Sequence, residues 1–290
     1  MIPIWRYHIL KKLLSVLLIL NLCLFICPFL AYADVGPKPT LEVIAQNMPD
    51  TTCYLDLLVN DPPEGVHQNI TEVEKYDPQL LEKLKKYKID GWRPAMVTGT
   101  MPPLFGDIIC DIKNGQCTLN FSYLGVPDKF KIIVVSSDGK TTVSNVIERK
   151  AFNSTVRFDY ETGRASERSP LWAYLFQFIF TCSVTIVIEG VVLLLFGFNL
   201  KSNWKPFITI NVITQVLLTL VVFSTMYKLG TLLAVLLYLP FEMIILVMEA
   251  SLFAKYLKQH SKARRVFFAV TANIASFIFG IMVMLHPMWW

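Results

Sequence analysis

The chain is 290 residues long, 54% hydrophobic, with a mean hydropathy of +0.48. A soluble chain of this length would make about two domains, but here the apolar residues fall in membrane-length blocks, which excludes a wholly soluble protein. The net charge of +5 does not argue for a nucleic-acid partner. Residues 34–169 hold sixteen basic and nineteen acidic side chains, and residues 170–290 hold eight and three, so the positive excess follows the apolar blocks.

The first block reads as a signal peptide over residues 1–33. Arg6, Lys11 and Lys12 form a basic start, Leu13 to Leu30 an apolar core, and Ala31-Tyr32-Ala33 a small-x-small cleavage site before Asp34. An uncleaved anchor is the alternative. Cys27-Pro28 lacks the small residues before it that a lipid-attachment cysteine has.

Residues 34–165 read as an exported, mostly-β domain. Leu41–Ala45 and Cys53–Val59 are strand candidates, separated by the turn residues Asn47-Met48-Pro49-Asp50. Asp77 to Tyr87 breaks the pattern. Asp77 caps, Pro78 suits the first helical position, and Leu80, Leu81, Leu84 and Tyr87 form a stripe, so a short helix is predicted. Asp107–Lys113 and Gln116–Tyr123 are predicted to form a hairpin across Asn114-Gly115. Phe130–Ser136 and Thr141–Val146 form a second across Ser137 to Lys140, and Thr155–Tyr160 a last strand. Six or seven short strands with one inserted helix predict an immunoglobulin- or fibronectin-like sandwich.

Cys110 and Cys117 flank the first turn and are candidates for a disulfide in an oxidising compartment. In a strict hairpin Lys113 faces Gln116 and Cys110 falls opposite residue 119, so the bridge needs a bulge or a longer loop. Two free thiols, or Cys53 as partner, are the alternatives. No His or paired-Cys spacing suits a metal, no cofactor motif appears, and His67 reads as a surface residue. Lys83, Lys85, Lys86 and Lys88 read as a solvated helix end. The stretch with Trp92 and Met101 to Phe105 reads either as packing or as a surface for a protein partner.

Residues 170–290 read as an α-helical four-span bundle in the lipid bilayer, with spans 171–198, 206–227, 229–257 and 265–285. An exported β-domain puts Lys201, Lys205, Lys255, Lys258, Lys262, Arg264 and Arg265 inside and Lys228 alone outside, in accord with the positive-inside rule. The C-terminus is then outside, with residues 34–170. Every acidic residue of this half, Glu189, Glu242 and Glu249, lies within a span. A carboxylate at the bilayer centre costs about 2.5–3.5 kcal/mol on insertion scales, so such groups are candidates for a functional site. With Asn211, Gln215 and Asn273 they suggest a polar layer shared by the spans in their inner half, and Glu242 sits deeper, beside Pro240. The alternatives are hydrogen-bonding glue between helices, a ligand, ion or proton site, and docking to another membrane subunit. No His lies in a span and no Asp in this half, and the span serines lack a His base. Zinc, aspartyl and serine hydrolysis are therefore not indicated.

The start Asp34-Val35-Gly36-Pro37-Lys38-Pro39, the segment Glu148 to Thr155, and the span residues Glu189, Leu195-Phe196-Gly197-Phe198, Asn211, Thr214-Gln215, Glu249 and Asn273 resemble a group of uncharacterised membrane proteins of Gram-positive bacteria. The resemblance implies a signal peptide, an exported β-domain and a helical bundle, and carries no activity or site role. In that setting the sequons at Asn69, Asn120 and Asn153 have no meaning. The expected function is a cell-envelope protein with an extracytoplasmic binding or sensing domain anchored by the bundle. The alternative is a small transporter or transporter subunit binding a cation or proton at the glutamates.

Overall fold

The computed structural model describes residues 36–60 and 67–284; the expected signal peptide and the terminal His286 to Trp290 lie outside the described residues. The first half is sheet-rich. Its elements are β1 (Thr40–Gln46), β2 (Cys53–Val59), α1 (Pro78–Lys85), β3 (Arg93–Pro94), α2 (Ala95–Thr98), β4 (Cys117–Ser122), β5 (Lys129–Ser136), β6 (Thr141–Val143), β7 (Ile147–Glu148), β8 (Asn153–Asp159) and β9 (Ala165–Glu167). One sheet has the order β4-β1-β8-β9, the other β3-β2-β5-β6 with β7 also on β5. β1 runs antiparallel to β4 but parallel to β8.

Both sheets share a single core that includes Leu41, Val43, Leu119, Phe121, Val156 and Phe158 from the first and Leu55, Phe130 and Ile132 from the second. The first sheet alternates buried and half-buried or exposed residues along β1, β4 and β8, as a sheet with one wet face does. β2 is buried at every position, because its sheet is covered on the other face by α1 and α2. Asp77 caps α1 as expected, accepting from the Gln79 and Leu80 amides at 2.8 and 3.1 Å.

The Asn114-Gly115 turn forms, with both residues at positive φ (52° and 71°) and Lys113 and Gln116 exchanging backbone bonds of 2.9 and 3.0 Å. The hairpin predicted around it does not continue. Residues 108–110 run beside β2 instead, with Leu55 N donating to Ile108 O at 2.8 Å and Cys110 N to Cys53 O at 3.0 Å, while β4 leaves to join β1. The two arms feed different sheets, and Ile108 from one and Phe121 from the other are both fully buried in the shared core. The register objection to a bridge therefore lapses, and Cys110 and Cys117 are disulfide-bonded with Cα atoms 5.4 Å apart, tying the two sheets. Cys53 is a buried free thiol. Of the apolar stretch with two readings, Trp92 and Leu104 pack into the core, and Met101 and Phe105 stay exposed.

The second half is helical: α3 (Leu171–Leu195), α4 (Leu200–Leu229), α5 (Thr231–Tyr256) and α6 (Lys262–Met284). α3, α4 and α5 are long and apolar enough to cross a membrane, with hydropathies of 2.4, 2.1 and 2.3. This associates the protein with a bilayer. α6 has 23 residues and opens on Lys262, Arg264 and Arg265. Each helix packs on the next in sequence, and α6 closes back on α3.

α3 stops three residues short of the expected end for a local reason. Gly197 takes φ 76°, its amide bonds Leu194 O at 2.8 Å, and the Phe198 amide bonds Leu193 O at 3.2 Å. This is a Schellman stop, with Phe198 and Leu193 in one apolar cluster. α4 starts at Leu200 rather than at 206 and holds Pro206 within it.

Besides the covalent link through Pro170, the two halves meet at the turn between α4 and α5. Phe152 N donates to Tyr227 O at 2.8 Å, and the Phe152 ring lies against Gly230, the residue at φ 88° that separates α4 from α5. Arg149 stiffens the loop by donating to Ala151 O and Phe152 O at 2.9 and 3.2 Å. A Cβ on Gly230 would stand 2.7 Å from the Phe152 ring. Gly230→Ala is therefore expected to lower the melting temperature of the detergent-solubilised protein through both backbone strain and this clash. Phe152→Ala in the same chain should recover only the clash, leaving about 1–3 kcal/mol of penalty for a side chain at φ 88°, ψ 171°.

Asp56 supplies a second test. It is fully buried in β2 and accepts from the Leu57, Met96 and Val97 amides at 2.7 to 3.2 Å. Burial pushes its carboxyl up to about 7 against the pull of those donors. The folded chain thus keeps a proton that the unfolded chain releases near 3.8, so the contribution of Asp56 to stability is greatest in acid and falls as pH rises through that interval. Thermal melts across this range should show Asp56→Asn gaining on the native protein as pH rises, the difference between the two isolating this carboxyl.

Candidate functional site: a carboxyl-lined chamber in the bundle

The interior of the helical ring is polar along one column. Gln177, Thr181, Thr185 and Glu189 recur every fourth residue on α3 and so share a face. Thr214, Gln215 and Thr219 come from α4, Tyr238, Glu242 and Glu249 from α5, and Asn273 and Ser276 from α6. Together they line one cavity of about 70 Å³, enough for a few water molecules when one needs roughly 10–15 Å³. Along α3 the column extends twelve residues, or about 18 Å at 1.5 Å per residue.

At the end far from the β domain sit the two most buried carboxyls. Glu249 is 3% exposed, and both its oxygens are engaged: Thr214 donates its hydroxyl to Oε1, and Asn273 Nδ2 donates to Oε2 at 2.6 Å. Glu189 is 1% exposed and accepts from the Ser276 hydroxyl at 2.9 Å through Oε1. Its Oε2 is buried with no hydrogen bond, as is Oδ1 of Asn211, whose amide nitrogen is committed to Phe207 O at 3.1 Å. Nearer the β domain, Glu242 is half-buried and shares the cavity wall with Tyr238, one turn before it on α5. The Tyr238 hydroxyl lies on the bare Cα of Gly280, where any side chain would collide with it.

Five of the six residues singled out from the sequence therefore meet on one cavity: Glu189, Gln215, Glu242, Glu249 and Asn273. Asn211 is not on its wall but one turn below, buried beside Thr214 and Glu189. The arrangement is a column along the bundle axis rather than a single layer, and Glu242 is part of it. The α3 contributors Gln177, Thr181 and Thr185 were visible only as a four-residue polar period inside an apolar run.

Below the column the ring is apolar. Phe198, Phe207, Phe253 and Phe268 pack with Leu193, Ile210, Leu257, Ala269 and Ala272 into a buried cluster. The loops beyond it are stitched together. Asn203 Oδ1 accepts from the Lys258 amide at 2.7 Å, and Arg265 donates to Ala254 O, Gln259 O and His260 O, closing the C-terminus of α5. No Lys, Arg or His lines the cavity. Among the described residues no group of three His, Cys, Asp or Glu has the geometry to hold a metal ion.

No protein-family model, curated protein or solved structure matches this chain.

The hydrogen bonds of Glu249 join α5 to α4 and α6. Glu249→Leu removes the acceptor of both interhelical bonds; the Thr214 hydroxyl can turn back to Ile210 O, but one Asn273 amide hydrogen is stranded, and stability is expected to fall by roughly 1–2 kcal/mol, the range of interhelical hydrogen bonds in membranes. Glu249→Gln, which keeps an acceptor, should lose less. Thermal unfolding of both variants in the same detergent measures the difference.

Proposed function

We propose that the chain is a multi-pass protein of the cell envelope whose bundle chamber binds protons at Glu189, Glu242 and Glu249, and whose exported β-domain responds to their occupancy. The observation that carries this reading is the convergence of three carboxyls from two helices on one cavity whose other polar lining is neutral. The titratable groups that face it are Glu189 on α3 and Tyr238, Glu242 and Glu249 on α5; α4 and α6 present only amides and hydroxyls. A proton needs no multidentate cage, which suits a chamber without metal-holding geometry among the described residues.

In this reading α6 is the fourth span. It supplies donors to Glu249 and Glu189, and its Phe268, Ala269 and Ala272 are fully buried at the level of α3, α4 and α5. Residues 34–170 and the C-terminus lie outside, supported by the seven basic residues at the far loops against Lys228 alone at the α4–α5 turn. The β-domain is taken as an immunoglobulin- or fibronectin-like sandwich on the strength of two sheets over one core. The resemblance to Gram-positive membrane proteins supplies the kind of envelope. The clamp of Phe152 on the α4–α5 turn is the route by which the bundle reaches the domain. A small transporter subunit would use the same glutamates, but the phenylalanine cluster across the far end favours binding over passage.

A hydrophobic carbodiimide, which reacts with protonated carboxyls, tests the chamber in membrane vesicles. Mass spectrometry should find label on at least one of the three glutamates in acid, falling as the medium turns alkaline. Labelled protein should show altered protease sensitivity in the β-domain. Absence of label from all three at every pH, or labelling that pH does not change, would count against the reading.

A further inference from the structure

Two further cavities meet at the junction of the halves. The first is a cleft of about 440 Å³ between α3 and α4, almost wholly apolar, walled by Tyr174, Leu175 and Phe178 on α3 and by Val216, Leu220 and Phe223 on α4. α3 and α4 are the least closely packed of the neighbouring helix pairs, so the ring opens sideways there. On α4 the cleft extends from Val216 to Lys228, twelve residues, or about 18 Å, against about 15 Å for the hydrocarbon of one leaflet. The second is a pocket of about 920 Å³ under the β domain, lined by the cations Lys129, Lys150 and Arg168 and by the acids Glu148 and Glu167. Leu171 and Tyr227 border both cavities, so the two adjoin.

Lys129 stands opposite Glu148 in the β5–β7 pairing, so the cations left for a ligand are Lys150 and Arg168, with Lys228 beside them. Lys129, Lys150, Arg168 and, at the mouth of the cleft, Lys228 are all exposed, and none forms an ion pair among the described residues. The nearby Glu167 is occupied instead by the Lys150 and Ala151 amides at 3.2 and 3.3 Å and by the Ser154 hydroxyl at 2.7 Å. A basic rim thus stands at the top of a leaflet-length apolar slot that faces lipid.

We propose that the α3–α4 cleft and the basic pocket above it form one binding site for an anionic diacyl phospholipid of the leaflet on the β-domain side. An acyl chain fills the cleft, and the phosphate meets Lys150, Arg168 and Lys228. Thr219 and Phe223 line both this cleft and the carboxyl chamber, so the bound chain lies against the chamber wall. The proposal rests on the membrane reading given above, with the β-domain at the bilayer surface.

The test uses the full chain in mild detergent and native mass spectrometry, with phosphatidylglycerol and phosphatidylcholine of identical acyl chains. Phosphatidylglycerol should be retained with a preference of about fivefold for each basic side chain that engages the headgroup. The double variant Lys150→Glu/Arg168→Glu should lose the preference while keeping its lipid-free melting temperature. Leu220→Trp, which fills the cleft, should reduce retention of both lipids. Equal retention of the two lipids by the native chain, or an unchanged preference in the double variant, would overturn the site. So would displacement of the bound lipid by inorganic phosphate alone, which would mark a headgroup pocket without a chain. Extraction of the chain from membranes by alkaline carbonate would overturn the membrane reading itself. An integral chain lacking lipid preference would overturn only the lipid site.

Discussion

A carboxyl group surrounded by hydrocarbon has no water to bond, so each of its oxygens needs a donor from the protein or from whatever the surrounding cavity admits. Four helices of this chain are arranged around that demand. Thr214 on α4 and Asn273 on α6 serve Glu249 on α5, and Ser276 on α6 serves Glu189 on α3. The donors come from helices other than the acid's own, so the bonds that satisfy the carboxyls also close the ring. The Thr214 hydroxyl adds a second property. Its single hydrogen has three acceptors within reach: Glu249, Ile210 O and Asn211 O. With Glu249 ionised, the hydrogen points to the carboxylate. With Glu249 protonated, the acid donates and the hydroxyl turns back to its own helix, a bond that Thr makes readily. The same heavy-atom positions thus serve both protonation states.

The β domain sits on this ring by two attachments of different kinds. Pro170 joins it covalently to α3, and Phe152 grips the turn between α4 and α5. Three of the four helices therefore begin or turn at the domain's underside, and a change in their spacing has to be accommodated there. The gripping loop is stiff, because Arg149 bonds its carbonyls from one side and Glu167 its amides from the other. Gly230 lets the ring approach the backbone closely, and its positive φ also ends α4 and permits α5 to start at once.

The helical half was largely legible in the sequence because apolar length is a strong signal. Its ends were less so: the Gly197 stop and the early start of α4 depend on three-dimensional partners such as Phe198 with Leu193 and Asn203 with Lys258. In the β domain, β1, β2, α1, β5 with β6, and β8 followed from alternation and turn chemistry. The Asn114-Gly115 hairpin did not, because a turn sequence fixes only the residues that flank it. Where the arms go next is decided by which sheet can bury Ile108 and Phe121. The parallel pairing of β1 with β8 joins residues more than a hundred positions apart and has no local signature. At the site, the glutamates announced themselves by their rarity. The α3 threonines did not, since a Thr that bonds its own helix, as Thr181 does with Gln177 O at 2.9 Å, is common in apolar helices.

The chamber is not symmetric along the bundle. Its wall toward the β domain holds Gln177, Tyr238, Glu242 and Thr219, while its far end is closed by a cluster of phenylalanines with no polar atom among their side chains. A proton moving between carboxyls needs a chain of hydroxyls, amides or water to carry it; such groups run from Glu249 along the column toward the β domain, and on the far side Asn211 stands one turn below, before the phenylalanine cluster. Crossing the phenylalanine cluster would need either its side chains to part or a bare charge to enter hydrocarbon, and the second is far more costly. In the proposed reading, exchange is therefore with the side on which the β-domain lies, and the glutamates report the conditions there rather than a difference across the membrane.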